Sequence, residues 1–385
     1  MGSAMSGNLS TVEQQPVRGG SGEPAACADS VRTLTFRRSN EFQAELRRRI
    51  DEFFQSTGRR RRDCPQLYVK AAVILTVFGL SYGLLVFAAL SWWQALGLAA
   101  AVGLSTAAIG FNLMHDGGHG AASRHRSVNK ALALTLDLIG GSSYLWHWKH
   151  GVIHHTYVNI TGHDTDIEVS GIGRLTPHQP LRSFQRWQHW YMWPLYGVMA
   201  IKWHFYDDFH DIVTGRIGTH RIPRPKGWEL LFLIVGKAAF FTLAFGVPLL
   251  LHPLWAVAVY YVATAFVLGM ALSIVFQLAH GVEEAAFPMP SADTGQMEHA
   301  WAVHQVETGV DFSRRSRVVT WLLGGLNFQI EHHLFPRICH VNYPAMSKLV
   351  EDTCREFQVR YQVHKSLWAG IGSHYRWLRR MGAPA

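Results

Sequence analysis

The chain has 385 residues, 48% of them hydrophobic and only 16% charged, against roughly 25% charged in ordinary soluble domains. Its mean hydropathy is +0.04 although residues 1–66 are strongly polar, so the remainder is far more apolar than average; this excludes a disordered chain and argues against a wholly soluble one. Lys and Arg number 36 against 27 Asp and Glu, a net charge of +9, which suits an anionic membrane surface; no basic stretch carries a nucleic-acid motif, so no nucleic-acid partner is expected.

Residues 1–38, rich in Gly, Ser, Glu and Pro without an apolar run, read as a disordered tail and not as a secretory signal. Residues 39–66 read as a cytoplasmic amphipathic helix followed by the basic run Arg59 to Arg62. Phe42, Leu46, Ile50 and Phe53 form its apolar stripe, with Ser39 or Asn40 as cap. A membrane domain is expected over 67–350, with spans at 67–90, 93–114, 229–251 and 254–278, each able to cross about 30 Å of hydrocarbon. The short connections at Ser91–Trp92 and His252–Pro253 make two hairpins. Their tips are nearly free of charge and carry Trp, while Arg and Lys crowd the opposite ends, which puts both termini and the long polar stretches in the cytoplasm. The apolar run at 131–143 is too short to span and reads as a re-entrant or interfacial helix. Residues 184–213, with Trp, Tyr, Lys and His at helical spacing, read as a helix lying in the interface. Residues 351–385 form a C-terminal cytoplasmic segment. The fold class is therefore an all-α integral membrane protein, four transmembrane helices in two hairpins with a cytoplasmic helical cap.

Histidine is where this sequence carries its chemistry, with 22 residues in all. His115 and His119, in HDGGH, are spaced i, i+4 and share a helical face at the exit of the second span. In WHWKHGVIHH, His150 and His154 repeat that spacing; His155 is turned by about 100°, toward a second metal, and His147 stands upstream. In NFQIEHH, Gln329 lies one turn before His332 and His333. His280 sits where the fourth span ends. Neutral imidazole is a nitrogen ligand for iron, zinc, copper or nickel, and one four-coordinate zinc would be saturated by three or four of these residues. At least eight histidines on one side of the membrane suit two metal ions, and no Glu-x-x-His pattern of carboxylate-bridged di-iron bundles is present. Asp116, Asp164, Asp166 and Glu331 read as acceptors for ligand N–H groups. His189, His204, His210, His220, His252, His304, His364 and His374 read as ordinary polar groups. Cys27, Cys64, Cys339 and Cys354 show no metal or disulfide spacing and read as reduced thiols.

HDGGH, HGVIHHTYVN and QIEHHLFP, in this order between four spans, resemble the three histidine boxes of membrane fatty acid desaturases, and the glutamine of the third box is similar to the front-end, linoleoyl-type branch. The resemblance covers residues from about 65 to 350. It implies a cytoplasmic cap holding a histidine-rich di-iron site, with two Fe ions, O2 as co-substrate, and insertion of a cis double bond into a fatty acyl chain carried on CoA, acyl carrier protein or a lipid. It implies His115, His119, His150, His154, His155, His332 and His333 as iron ligands, with His280 as an additional one; His147, Gln329, Asp116, Asp164 and Glu331 remain ligands or supports. The second box is H-x-x-x-H-H instead of the shorter H-x-x-H-H, leaving His147 or His150 to lead it. The His-Pro-Gly-Gly motif of fused haem domains is missing, so electrons are expected from a separate ferredoxin-like or haem carrier with its reductase. Arg314, Arg315 and Arg317 offer such a carrier, or an acidic substrate headgroup, a landing place. The rivals are a hydroxylase or ketolase on the same site and a membrane zinc hydrolase. The Ala- and Arg-rich, unfused chain points to a bacterial cell membrane instead of the endoplasmic reticulum.

Overall fold

The computed structural model describes residues 34–38 and 41–384, and these are mostly helical. Among the described residues, four helices are long and apolar enough to cross a membrane: Pro65–Phe87, Trp92–Gly118, Trp228–Leu249 and Leu254–His280. They match the expected spans to within about a turn. Val69, Val73, Leu80 and Leu84 on the first, and Leu230, Ile234 and Val235 on the third, are exposed. So many exposed branched side chains on single helices are the mark of a lipid-facing surface.

The fourth span is the hub of the helical bundle. It packs against Trp92–Ala108 of the second span and against the helix Gln188–Lys202. Glycine sets how close these helices come. A Cβ at Gly269 would lie 2.6 Å from the carbonyl oxygens of both Tyr196 and Gly197, and one at Gly103 would lie 2.6 Å from that of Thr264. Close backbone approach through small residues is a main source of helix association in lipid, where burial of apolar surface contributes little.

The aromatic stretch expected at the interface is helical from Gln188, passes through a π turn at Trp203–Asp207, and ends at Thr214. It buries Met192, Tyr196 and Ala200 and exposes Trp190, Phe205 and Tyr206. The run at 131–143 is not one helix. It breaks into Arg126–Ala133 and Thr135–Leu138, and the Asp137 carboxylate accepts the Ser143 N–H at 3.2 Å to close the following turn.

A second layer of short helices carries the third histidine motif. Glu41–Thr57 buries Phe42, Leu46, Ile50 and Phe54 against Ala302, Val306, Ile330, Met346 and Val350. Phe54, not the expected Phe53, completes the stripe, because the contact follows a strict i, i+4 row. The expected cap at Ser39 or Asn40 lies outside the described residues, as does the expected tail up to residue 33; Thr35–Arg37 form a strand, parallel to Gln296–Ala300. Asp311–Phe312 pairs in parallel with Val363–His364. The last helix, Leu367–Met381, packs on the fourth span and on Gln188–Lys202. Cys64, Cys339 and Cys354 are buried free thiols, and Cys27 lies outside the described residues.

The glycine contacts lead to a direct test. Gly269→Leu, which must displace backbone, is expected to cost roughly 1–3 kcal/mol of overpacking strain and to lower the melting temperature of the detergent-solubilised protein by several degrees. Gly79→Leu on the first span, where nothing lies within 4 Å of an added Cβ, should leave it unchanged.

Candidate metal centre

Three chain segments and the end of the fourth span bring eight histidines into one buried chamber. HDGGH is positioned by its glycines. A Cβ at Gly117 would meet Leu132 at 2.6 Å, and one at Gly118 would enter the Trp146 ring at 2.2 Å, so the turn bearing His115 and His119 can lie flat against its neighbours. The rings of His115 and His119 are 4.7 Å apart, and His332 comes within 4.4 Å of His115.

The second motif folds as a π helix over His147–His154. Its hydrogen bonds run from residue i+5 to residue i, and the His155 N–H indeed donates to the His150 carbonyl. His155 is close to His150, their Nε2 atoms 3.3 Å apart, and its ring stands at 86° to that of His154. His154 stays beside His150, with rings stacked at 5.2 Å. The additional residue of H-x-x-x-H-H is absorbed by the wider turn, and all three imidazoles face one chamber.

Three overlapping groups of histidine nitrogens result, each with ligand atoms within 4.8 Å of each other: His115, His119, His150 and His332 in one, His154, His280 and His333 in another, and His155 with His332 and His333 in the third. His155 thereby links the first two, its ring 4.7 Å from that of His332 and 4.4 Å from that of His333. His147 is not in any of these groups; it lines an outer cavity of about 590 Å³ with Tyr144, Trp148, Arg224, Lys226 and Glu229. His304 is also outside, its ring donating from Nε2 to the Val158 carbonyl at 2.9 Å.

The chemistry of the donor atoms fits metal ions. His154 Nδ1 donates to Asp164 at 3.2 Å, His333 Nδ1 to Gln305 Oε1 at 2.8 Å, and His280 Nδ1 to the Thr308 carbonyl at 3.0 Å. Each anchor fixes the tautomer and aims Nε2 inward. The Nε2 atoms of His119, His154, His332 and His333 are buried without any hydrogen-bond partner. An unsatisfied buried polar atom costs about 1–3 kcal/mol, so these four, two in each of the first two groups, suit bound cations. Burial, reinforced by the neighbouring imidazoles, holds His119, His150, His155, His332 and His333 well below the ordinary histidine range, which leaves their lone pairs free at neutral pH. At His154 burial works the same way, but the Asp164 and Asp166 carboxylates outweigh it and raise the ring.

Not every acid behaves as expected. Asp164 does accept from a chamber histidine, and Asp166 lies 3.5 Å from the same His154 nitrogen. Asp116 turns away from the chamber to accept from His340 Nδ1 at 2.9 Å. Glu331 also points outward, sharing the Tyr361 hydroxyl with Asp311 at 2.8 and 2.5 Å. Burial and the Asp311 charge push Glu331 well above the carboxylate range, and burial takes Asp311 to about 6. Gln329 places its amide 2.9 Å from His280 Nε2. Arg314 is occupied by Glu351 and Tyr361. Sequence reasoning missed Gln305, an unmarked glutamine on the helix Trp301–Thr308, and His340, a lone histidine whose partner lies 224 residues away.

Comparison with known proteins decides the family. Residues 90–365 match the family described as Fatty acid desaturase. The chain belongs to it. It is 36% identical over 357 residues to the sn-1 linoleoyl-lipid 6-desaturase of Arthrospira platensis, covering 90% of this chain and 94% of that protein. The sn-1 linoleoyl-lipid 6-desaturase of Synechocystis sp. is 34% identical, at 91% and 98% coverage, and the acyl-lipid (8-3)-desaturase of Physcomitrium patens is 34% identical, at 93% and 76%. This desaturase is thus an oxidoreductase acting on fatty acyl chains, and its front-end resemblance holds.

The Asp164 anchor gives a measurable expectation. If the His154, His280 and His333 group takes up a metal ion, Asp164→Asn in the desaturase should weaken that uptake by about 10–100-fold, read in metal titration, with uptake at the four-histidine group unchanged.

Proposed function

We propose that this desaturase inserts a cis double bond into an acyl chain of a membrane lipid, using two iron ions and O2, with electrons from a separate carrier. The carrying observation is the convergence of eight buried imidazoles into adjacent groups, with the Nε2 atoms of His119, His154, His332 and His333 left without a hydrogen-bond partner. His115, His119, His150 and His332 would hold one iron, His154, His280 and His333 the other, with His155 between them. The lipid-linked substrate is favoured over CoA or acyl carrier protein by the relatives, which are named linoleoyl-lipid and acyl-lipid desaturases.

Bound iron supplies the oxidising power that no side chain has against an unactivated C–H bond. The chain's own residues do the positioning. Asp164, Gln305 and the Thr308 carbonyl hold the rings of His154, His333 and His280 in place through their outer nitrogens. Trp146 and Phe276 stand against His150, at 4.7 and 5.8 Å between ring centres, and give the chamber apolar walls suited to methylenes. Such walls hold two adjacent carbons in register and keep water out. Gln329 bears on His280 as a positioning group. The net change is balanced: one CH2–CH2 unit, O2, two electrons and two protons give one cis CH=CH unit and two waters.

In this reading the four apolar helices cross the membrane as two hairpins, and the second-layer helices form a cap on the cytoplasmic face of a cell membrane. The ends of the second and fourth spans, at Gly118 and His280, both lead into the chamber, which supports a single face for all the boxes.

Substituting Ala for His154, His155, His332 or His333 should abolish double-bond formation, read by mass spectrometry of lipid acyl chains, and lower iron below two per chain while membrane insertion persists. Wild-type turnover in any of these variants would count against the ligand set. One zinc and oxygen-independent hydrolysis would replace the reading with a zinc hydrolase, and a hydroxylated product with a hydroxylase.

A further inference from the structure

The strongest unexplained feature outside the chamber is a surface built of arginine. Three segments far apart in sequence are bonded together beside the first span. The Cys339 N–H donates to the Arg61 carbonyl at 2.8 Å, the Asn342 side chain to the Arg60 carbonyl at 2.9 Å, and Arg62 Nε to the Arg337 carbonyl at 3.1 Å. The Asp63 N–H donates to the Ala122 carbonyl at 2.8 Å, which adds Arg124 and Arg126. Seven arginines therefore gather: Arg59, Arg60, Arg61, Arg62, Arg124, Arg126 and Arg337.

Only two of them are neutralised. Arg61 pairs with Asp51, and Arg124 with Asp63. Among the described residues, no acidic side chain pairs with the other five. Arg62 is held so that burial and the Arg337 charge lower its affinity for its proton. Holding like charges together by backbone clamps is unfavourable for the isolated fold, and such a potential is relieved by a partner of opposite charge.

The patch also has a short line to the chamber. From Arg337 the chain passes through Ile338 and Cys339 to His340, whose ring bonds Asp116 at 2.9 Å, the neighbour of His115. On the other side, Arg337 follows His333 by four residues, past the end of the short helix at Leu334 and a half-buried Phe335. Arg314, by contrast, is internally paired.

We propose that this arginine patch is the docking surface for a small, acidic one-electron carrier of the ferredoxin class. The inference rests on the O2-dependent desaturase reading above. Each turnover reduces O2 by four electrons to two waters. Two come from the two C–H bonds broken, and two from carriers that dock in succession, each oxidised by one electron and re-reduced by its reductase. The two protons come from water.

The test uses full-length iron-loaded protein in phosphatidylcholine nanodiscs, with a reduced acidic [2Fe–2S] ferredoxin as the donor. Arg59→Glu, at an exposed side chain with no hydrogen-bond partner among the described residues, and the pair Arg62→Glu with Arg337→Glu are the variants. Both should raise the KM for ferredoxin at least tenfold and flatten its dependence on salt, because paired surface charges steer encounter and are screened by ions. The kcat at saturating ferredoxin and the single-turnover yield of dithionite-reduced protein should stay at the wild-type level. An unchanged KM in Arg59→Glu, or an equal loss in the dithionite single turnover, overturns the proposal. So does an effect that follows phosphatidylglycerol content in the nanodisc and not ferredoxin, which would make the patch a lipid-headgroup contact. If dithionite-reduced wild-type protein forms no double bond with O2, the desaturase reading itself fails, and the docking proposal with it.

Discussion

Eight imidazoles share one chamber, and each must be neutral, immobile and turned inward. That demand shapes everything around it. A buried imidazole loses its hydration at both ring nitrogens, so the structure has to answer for each. At His154, His280 and His333 the outer nitrogen is anchored by Asp164, the Thr308 carbonyl and Gln305. The inner nitrogens of His154 and His333 are left without a hydrogen-bond partner, whereas that of His280 faces the Gln329 amide at 2.9 Å. The second motif is also tied to its surroundings through Asn159, whose side-chain N–H groups donate to the His280 and Ala286 carbonyls at 3.1 Å.

The spans and the outer helices divide the work. The second span delivers His115 and His119, and the fourth delivers His280, so the separation of two ligand sets is fixed by a glycine-spaced helix pair in the apolar layer. The third motif sits on a short helix with no membrane anchor of its own. It is held from behind by the helix Glu41–Thr57 and by Tyr343, Met346 and Val350, and from below by the Ile330 N–H bond to Asp311 at 3.1 Å. The acidic pair Asp311 and Glu331, bridged by Tyr361, then belongs to the support of that helix, not to the chamber. Chemistry and scaffold lie on opposite faces of the same six residues.

How much of this the sequence disclosed follows from the range of each signal. The four spans were legible because twenty-odd apolar residues in a row have one physical explanation. The histidine sets were legible because i, i+4 spacing is local, and His280 because it follows an apolar run directly. The aim of Asp116 and Glu331 was hidden, since it depends on His340, Asp311 and Tyr361, which lie far off along the chain. The swap of Phe53 for Phe54 shows the same limit on a small scale: a stripe fixes a face to within a residue, and the partner helix chooses. The arginine patch is legible only in part, as Arg59 to Arg62 form a visible run while Arg337 gives no sign of joining it.

The π turn at the second motif has a consequence for how such motifs should be counted. Histidines that fall five apart on this helix meet as histidines four apart would on an ordinary one, because the wider turn takes up the added residue. Motif length and spatial motif are therefore separate variables here. Deleting one residue between His150 and His154 would let the segment tighten to an α turn with the same three rings facing inward, whereas inserting one would have no wider helix to retreat into. The written spacing of the box is a statement about helix pitch, and the arrangement of nitrogens is what stays the same.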